Sequence, residues 1–157
     1  MLKKIKWLLL GVASIGIIVV TYLVTLVRYA ETEVDALETY RLSLEAMSEV
    51  VSVTSIHRFN GLETYIVASV IHESDQELYF FVQEGSVQAY FVSTQLITEA
   101  QAKRIAQDSF RQGEIIHTQL GILREMPIFE VQIKDEAVVH YLIINAQTGE
   151  IIMNFET

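Results

Sequence analysis

The feature that most constrains how this chain can fold is an uncharged apolar run near its amino terminus. The run "WLLLGVASIGIIVVTYLVTLV", from Trp7 to Val27, contains 21 residues and no charged side chain. At about 1.5 Å per residue, a helix of this length is about 31 Å long, close to the ~30 Å hydrocarbon core of a bilayer. The sequence therefore predicts an N-terminal transmembrane helix.

The charges beside this run predict its orientation. Three lysines precede it, at positions 3, 4 and 6, whereas Arg28 follows it and leads into acidic residues. By the positive-inside rule, the amino terminus is cytoplasmic and the domains after the helix are extracellular. A cleaved signal peptide is the alternative, but its apolar core is usually about 7–15 residues and ends in a small-x-small site, where this chain has Arg28. We expect an uncleaved signal anchor in the cell membrane.

Small and polar residues recur at intervals of three and four along one side of the predicted anchor. The set consists of Gly11, Ser14, Thr21 and Thr25, with Ile18 at the remaining position. Stripes of this kind let two membrane helices approach closely. We treat these residues as candidates for a membrane-helix contact, although many membrane helices have a similar stripe.

Charge and cysteine content exclude several functions. The chain has 11 basic and 20 acidic residues and no cysteine. The first 28 residues contain 4 of the basic and none of the acidic ones, so the remainder has a net charge of 7 − 20 = −13. A domain of this charge repels nucleic acid and anionic membrane surfaces. The absence of cysteine excludes disulfides and thiol chemistry.

The rest of the sequence contains a unit of about 60 residues twice. The segment "HRFNG" at 57–61 recurs as "HTQLG" at 117–121, and beyond it the offset grows from 60 to 64. The pairs matched at the larger offset are Tyr65 with Phe129, Val67 with Val131, Leu78 with Leu142, Gln83 with Gln147 and Gly85 with Gly149. Their agreement on one frame predicts a duplication.

Each unit is predicted to begin with a helix and continue into strands. In the first unit, apolar residues recur at helical spacing at Leu37, Tyr40, Leu44, Met47 and Val51. In the second, Thr98 is a start signal for the helix in "ITEAQAKRIAQDSF". "IFEVQI" alternates, with Phe129, Val131 and Ile133 on one face, whereas "YIVASVI" and "LYFFV" are uniformly apolar and predict strands covered on both faces.

Two turns end the predicted sheets. The hairpin "YLIINAQTGEIIMNF" near the carboxyl terminus has Asn145 to hydrogen-bond the turn backbone and Gly149 to supply a left-handed conformation. We expect Tyr141 and Ile143 to share a face, and likewise Ile151, Met153 and Phe155 on the returning strand. The first unit turns near Gly85. We assign all three turn residues a structural role.

Motifs for chemistry are missing from the sequence. The histidines at positions 57, 72, 117 and 140 do not have the spacing of a zinc site, and His57 and His117 are expected to lie apart in separate units. In "ESDQE" at 73–77, Leu78 stands where a calcium loop needs glycine. No nucleophile turn or phosphate loop occurs. We predict no catalytic residue, metal site or cofactor; carboxylates paired only by folding leave a hydrolase as a further alternative.

The order of anchor, helix, antiparallel sheet and the same again resembles the TseB-like (YpmB-like) family. These are Gram-positive cell-wall elongation regulators with two PepSY-like, cystatin-like domains. The resemblance rests on "ITEAQAKRIAQ" as the start of a helix, "PIFEVQI" as the central strand and the closing hairpin. The chain has Asn145 where PepSY hairpins commonly have aspartate, and Phe129 where the strand often has tryptophan. Both replacements preserve the physical role.

The resemblance implies an α+β fold in which the anchor precedes two tandem PepSY-like units, each a helix on an antiparallel sheet. The predicted boundaries are 1–28 for the cytoplasmic tip and anchor, 29–94 for the first domain and 95–157 for the second. It also implies a non-enzymatic regulator of cell elongation that binds a penicillin-binding protein or another cell-wall synthase. A PepSY-type peptidase inhibitor or folding helper at the cell surface is the alternative.

Overall fold

A computed structural model describes residues 2–156, with side chains at 15–26, 28 and 34–156. Contacts divide the chain into two compact units, residues 1–39 and residues 40–157. The first unit contains most of helix α1, Leu2–Glu45. Within the part of the chain that the structure describes, no helix is both long and apolar enough to cross a membrane. The predicted anchor begins at Trp7, and the side chains at 7–14 and 27 lie outside the described residues, so the anchor remains a prediction.

The second unit contains two antiparallel sheets of four strands, each in sequential order. The first sheet consists of β1 (Val50–Asn60), β2 (Thr64–His72), β3 (Glu77–Gln83) and β4 (Ser86–Val92). A 3-10 turn at Ser93–Gln95 and helix α2 (Glu99–Ser109) follow it. The second sheet consists of β5 (Glu114–Leu123), β6 (Met126–Asp135), β7 (Val138–Asn145) and β8 (Ile151–Glu156). The predicted α+β class, with helices and antiparallel sheets, is confirmed.

The helix predicted through Met47 and Val51 ends earlier than its apolar spacing indicates. Helix α1 stops at Glu45, and β1 begins at Val50. The segment "VVSVT" that starts β1 is rich in β-branched residues, which fit a strand better than a helix. Leu44, in the last helical turn, is buried beside the first sheet, and Arg41 Nη1 donates to Val53 O at 2.8 Å. The strand preference of the residues that start β1 therefore explains why α1 ends before them.

Helix α2 begins where the sequence predicts. Thr98 is its N-cap: Gln101 N donates to Thr98 Oγ1 at 3.2 Å, and Thr98 N donates to Gln101 Oε1 at 2.7 Å. This reciprocal capping satisfies two backbone donors. Ala102 and Ala106 are fully buried, because their small side chains let the helix approach the face of β6 that carries Val131. The alternation predicted for "IFEVQI" places that face correctly.

The two sheets share one hydrophobic core. Phe59, Val67 and Phe81 from the first sheet belong to the same buried cluster as the apolar face of the second. At the junction, the Phe59 ring lies against Gly121 of β5, where an added Cβ would overlap the ring. Four-stranded sheets of this size bury little alone. Packing through Phe59 thus joins them into one unit.

The pairing of strands revises the frame of the repeat. Val67 pairs with Phe81 in the first sheet, and Val131 pairs with Leu142 in the second. If Val67 and Val131 are equivalent, the counterpart of Leu142 is therefore Phe81 and not Leu78. The connections between these strands differ as well: residues 73–76 connect β2 to β3, whereas residues 136–137 connect β6 to β7. A single offset of 64 for both strands is wrong because the connections differ in length.

Candidate protein-interaction surface

The β7–β8 hairpin is built around Asn145. Its Oδ1 accepts hydrogen bonds from the backbone N–H groups of Gln147 at 2.8 Å and Thr148 at 3.1 Å. Gly149 has φ +76° and donates its N–H to Asn145 O at 2.8 Å. Gly85 has φ +77° in the two-residue turn between β3 and β4, beside Glu84 at +50°, and consecutive left-handed residues match the twist of a tight hairpin. Gly85 and Gly149 thus lie in the connections after β3 and β7, and Asn145 is the last residue of β7, where its side chain accepts the turn's N–H groups.

The hairpin aligns four apolar residues on the face of the second sheet opposite α2. Tyr141 pairs with Phe155, and Ile143 pairs with Met153. A register shift then pairs Ile151 with Ile144, so the expectation that Ile151 shares the face of Met153 is wrong. The bulge at this point adds a residue to β8 and reverses the alternation.

The part of this face on β8 is apolar and exposed, whereas Ile143 on β7 is buried. The rings of Tyr141 and Phe155 stack with centroids 5.1 Å apart and planes 4° apart. Phe155 is 47% exposed and Met153 is 43% exposed. Within the described residues 40–156, β8 is an edge strand whose residues are all exposed. An uncovered apolar face beside a free strand edge is typical of a protein-interaction surface.

A groove of about 320 Å³ extends this face toward the first sheet. We call it the inter-unit groove because it lies between the two repeated units of the sequence, within residues 40–157. One wall is the β1–β2 turn, at Gly61 and Leu62, and the other is the second sheet, at Ile128, Met153 and Phe155. Leu62 is 74% exposed at the tip of the turn. Among the described side chains, Glu130 is the one charged group that lines the groove, and it accepts a hydrogen bond from Gln132 Nε2 at 2.9 Å.

The turn that bears Leu62 is held in place by its neighbours. Tyr65 Oη donates to Glu63 Oε2 at 2.9 Å, and Gln83 Nε2 donates to the same oxygen at 3.3 Å. Burial, reinforced by this bond to Glu63, raises the pKa of Tyr65, so its hydroxyl stays a donor at neutral pH. An added Cβ at Gly61 would contact the Phe59 ring. The groove is therefore formed before a partner arrives, which lowers the entropic cost of binding.

A second cavity lies between the sheets and brings two histidines together. His57 and His117 both line this inter-sheet cleft of about 370 Å³, with Tyr79 and Glu99. The expectation that the two histidines lie apart is wrong, because the sheets pack against each other near β1 and β5. His57 Nε2 donates to Leu120 O at 2.8 Å; a carbonyl can only accept, so this nitrogen holds the proton.

The inter-sheet cleft offers polar groups with defined roles. Burial, followed by the carboxylates of Glu77 and Glu99, raises the pKa of the Tyr79 phenol above 10.0. Glu99 also pairs with Lys103 at 2.5 Å. Among the described side chains, no three histidine or carboxylate groups are placed to hold one metal ion. The cleft thus contains a tyrosine whose phenol stays protonated at neutral pH and a histidine bonded to the backbone.

The described members of the predicted membrane-helix stripe bond to their own helix. Thr21 Oγ1 donates to Ile17 O, and Thr25 Oγ1 donates to Thr21 O, both at 2.8 Å. Both hydroxyls are therefore satisfied within the helix. For Gly11 and Ser14 the structure describes only the helical backbone. The stripe as a contact site remains a prediction.

Sequence reasoning located the hairpin but missed the groove beside it. The alternation of side chains along β8 placed Met153 and Phe155 on one face. Two large apolar residues on one face were the signal for the groove that the sequence offered. The opposite wall comes from Leu62, 91 positions before Met153 (153 − 62 = 91). No local sequence pattern indicates that the turn bearing Leu62 lies close to Met153.

Residues 96–152 match the protein family described as "Peptidase propeptide and YPEB domain", or PepSY. This range contains α2 and the second sheet as far as Ile152. The chain therefore contains a PepSY domain, and the inter-unit groove lies between that domain and the first sheet.

Among solved structures, the YpmB protein from Bacillus subtilis aligns with a TM-score of 0.65 and 18% identity, over 76% of this chain and 96% of that chain. A lipoprotein candidate from Clostridium difficile 630 aligns with a TM-score of 0.41 and 8% identity, over 67% of this chain and 82% of that one. A search of curated proteins gives no match. The chain is a YpmB-like PepSY protein in fold.

Proposed function

We propose that this protein is a membrane-anchored, extracytoplasmic regulator of cell-wall elongation that binds a penicillin-binding protein or another cell-wall synthase. The observation that carries the proposal is the inter-unit groove, in which Leu62, Met153 and Phe155 are exposed around a preformed apolar cavity. Binding energy concentrates in a few large side chains in such places, and aromatic residues are common among them. The protein acts by contact and has no reaction of its own.

The apolar run Trp7–Val27 and the lysines before it support the membrane part of the proposal. An anchor confines the domains to the surface on which cell-wall synthases work, and this raises their effective concentration. The acidic charge of the domains keeps them away from anionic lipid headgroups. The groove and the free edge of β8 then remain open to a protein partner.

A second candidate function is inhibition or assisted folding of a peptidase at the cell surface. The name of the matched family, "Peptidase propeptide and YPEB domain", favours this alternative. A propeptide-like module would also use an exposed sheet face or edge, because an extended segment of the peptidase can pair with β8. The two functions differ in the partner and not in the surface.

Photo-crosslinking in intact cells distinguishes them. A photoreactive amino acid replaces Phe155 in the full chain, and the matched control places it at Arg104, an exposed position on α2. We expect crosslinks from position 155 to a cell-wall synthase, identified by mass spectrometry. Peptidase peptides at that position would favour the alternative, and equal products from positions 155 and 104 would contradict a specific groove.

A further inference from the structure

A larger groove lies on the opposite side of the first sheet from the shared core. Tyr79, Phe81 and Phe91 pack toward that core. Because side chains alternate along a strand, the intervening Phe80 and Tyr90 face the other way. There they line what we call the outer groove, with a volume of about 600 Å³.

The outer groove has an apolar floor and an aromatic wall. Leu78 and Phe80 are each 7% exposed and form the floor. The Tyr90 ring meets Phe80 edge-on, with centroids 6.3 Å apart and planes at 63°. Tyr90 is nevertheless 64% exposed, and Met47 on the opposite wall is 43% exposed. Within residues 40–156, large apolar side chains thus stand free around a preformed depression.

Acidic residues lie at one end of the outer groove. Glu49 lines it. The backbone N–H of Glu73 donates to Glu49 O at 3.0 Å, so the β2–β3 turn, which carries Glu73 and Asp75, is joined to the chain at Glu49. From Ala46 to Val92 the sequence has six carboxylates and one basic residue, Arg58. The charge available to a ligand at this end is negative.

His72 adds a hydrogen-bonding side chain to the outer groove. Its Nδ1 accepts the backbone N–H of Ser74 at 3.1 Å, so the neutral ring has its proton on Nε2. His72 lines the same groove.

We propose that the outer groove is a second binding site, for a segment of a partner protein in which apolar side chains are followed by lysine or arginine. The apolar side chains fill the space between Met47, Phe80 and Tyr90, and the basic ones face Glu49 and the β2–β3 turn. Opposite charge selects such a segment over acidic ones and speeds its association. This site is separate from the inter-unit groove and does not depend on the identity of the partner bound there.

Three labelled peptides test the proposal on the full chain in phosphatidylcholine nanodiscs. The first alternates three apolar residues with serine and ends in three lysines; the second ends in three glutamates instead; the third keeps the lysines but has serine in place of the apolar residues. Fluorescence anisotropy should show the first binding at least about tenfold more tightly than either of the others. Its affinity should fall as salt rises.

Matched variants locate the binding. Tyr90→Ala should weaken the lysine peptide about fivefold or more, and Met47→Ser should do the same if Tyr90→Ala folds poorly. The combination Glu49→Gln, Glu73→Gln and Asp75→Asn should remove most of the preference for lysine over glutamate. Phe155→Ala and Glu150→Gln are the apolar and charge controls and should leave affinity unchanged. Equal or undetectable binding of all three peptides, or weakening by Phe155→Ala but not by Tyr90→Ala and Met47→Ser, would overturn the proposal.

Discussion

At the scale of single residues, Gly149 shows two separate constraints on one position. Its φ of +76° is unfavourable for any residue with a Cβ, and an added Cβ would lie 3.2 Å from Ile105 Cδ1 on α2. Gly85 has nearly the same φ, +77°, but nothing lies within 4 Å of an added Cβ. Comparing the same substitution at Gly85 and at Gly149 therefore distinguishes the cost of backbone strain from the cost of packing.

We expect Gly85→Val to destabilise the protein by about 1–2 kcal/mol, the usual cost of a left-handed conformation with a Cβ. Gly149→Val should cost more, because its side chain also displaces Ile105, and Gly149→Asn should cost less than Gly149→Val. Chemical denaturation followed by circular dichroism measures all three. Equal small losses for the two valine variants would show that packing against Ile105 plays no part.

Residues in turns are also where sequence reasoning works best. Asn145 Oδ1 accepts hydrogen bonds from backbone N–H groups two and three positions further along the chain. Few residue types have a side chain that can make such bonds. The bond from His57 to Leu120 spans 63 positions, and neither residue signals it. Short-range chemistry was therefore predictable, whereas the inter-sheet cleft was not.

At the scale of elements, the junction of β1 with β5 decides how the sheets pack. Phe59 near the end of β1 fills the space that Gly121 leaves in β5. Sequence patterns predicted the strands that alternate or are uniformly apolar, including parts of β2, β3 and β6. They missed β1 and β5, which have mixed patterns and register shifts, because a bulge interrupts the period of two.

A double-mutant cycle tests this junction. Gly121→Ala should destabilise the protein by about 1–3 kcal/mol, since the new Cβ overlaps the Phe59 ring. Combining it with Phe59→Leu, which removes part of that ring, should cost less than the sum of the single changes by at least about 0.5 kcal/mol. Gly85→Ala with Phe59→Leu is the control pair and should be additive. If the losses of stability from Gly121→Ala and Phe59→Leu are also additive, the substitution at Gly121 does not act through the Phe59 ring.

At the scale of the whole molecule, two sheets joined by one core present two grooves at different places. The inter-unit groove exists only because the sheets are packed together, since Leu62 comes from one and Phe155 from the other. The outer groove belongs to the first sheet, with Met47 and Glu49 from the segment that leads into it. The proposed contact function needs surfaces of this kind, in which large apolar side chains are exposed around a depression.

The most direct test of this account is the restoration of cell elongation in cells that lack the protein. Full-length chains with both Met153→Ala and Phe155→Ala, present at normal abundance, should fail to restore it, because the apolar contacts of the inter-unit groove are gone. His117→Ala and Glu99→Ala, which alter exposed groups of the inter-sheet cleft, should restore normal length. Full activity of the double variant, together with complete loss in either cleft variant while both stay folded, would contradict a contact mechanism and indicate chemistry in the cleft.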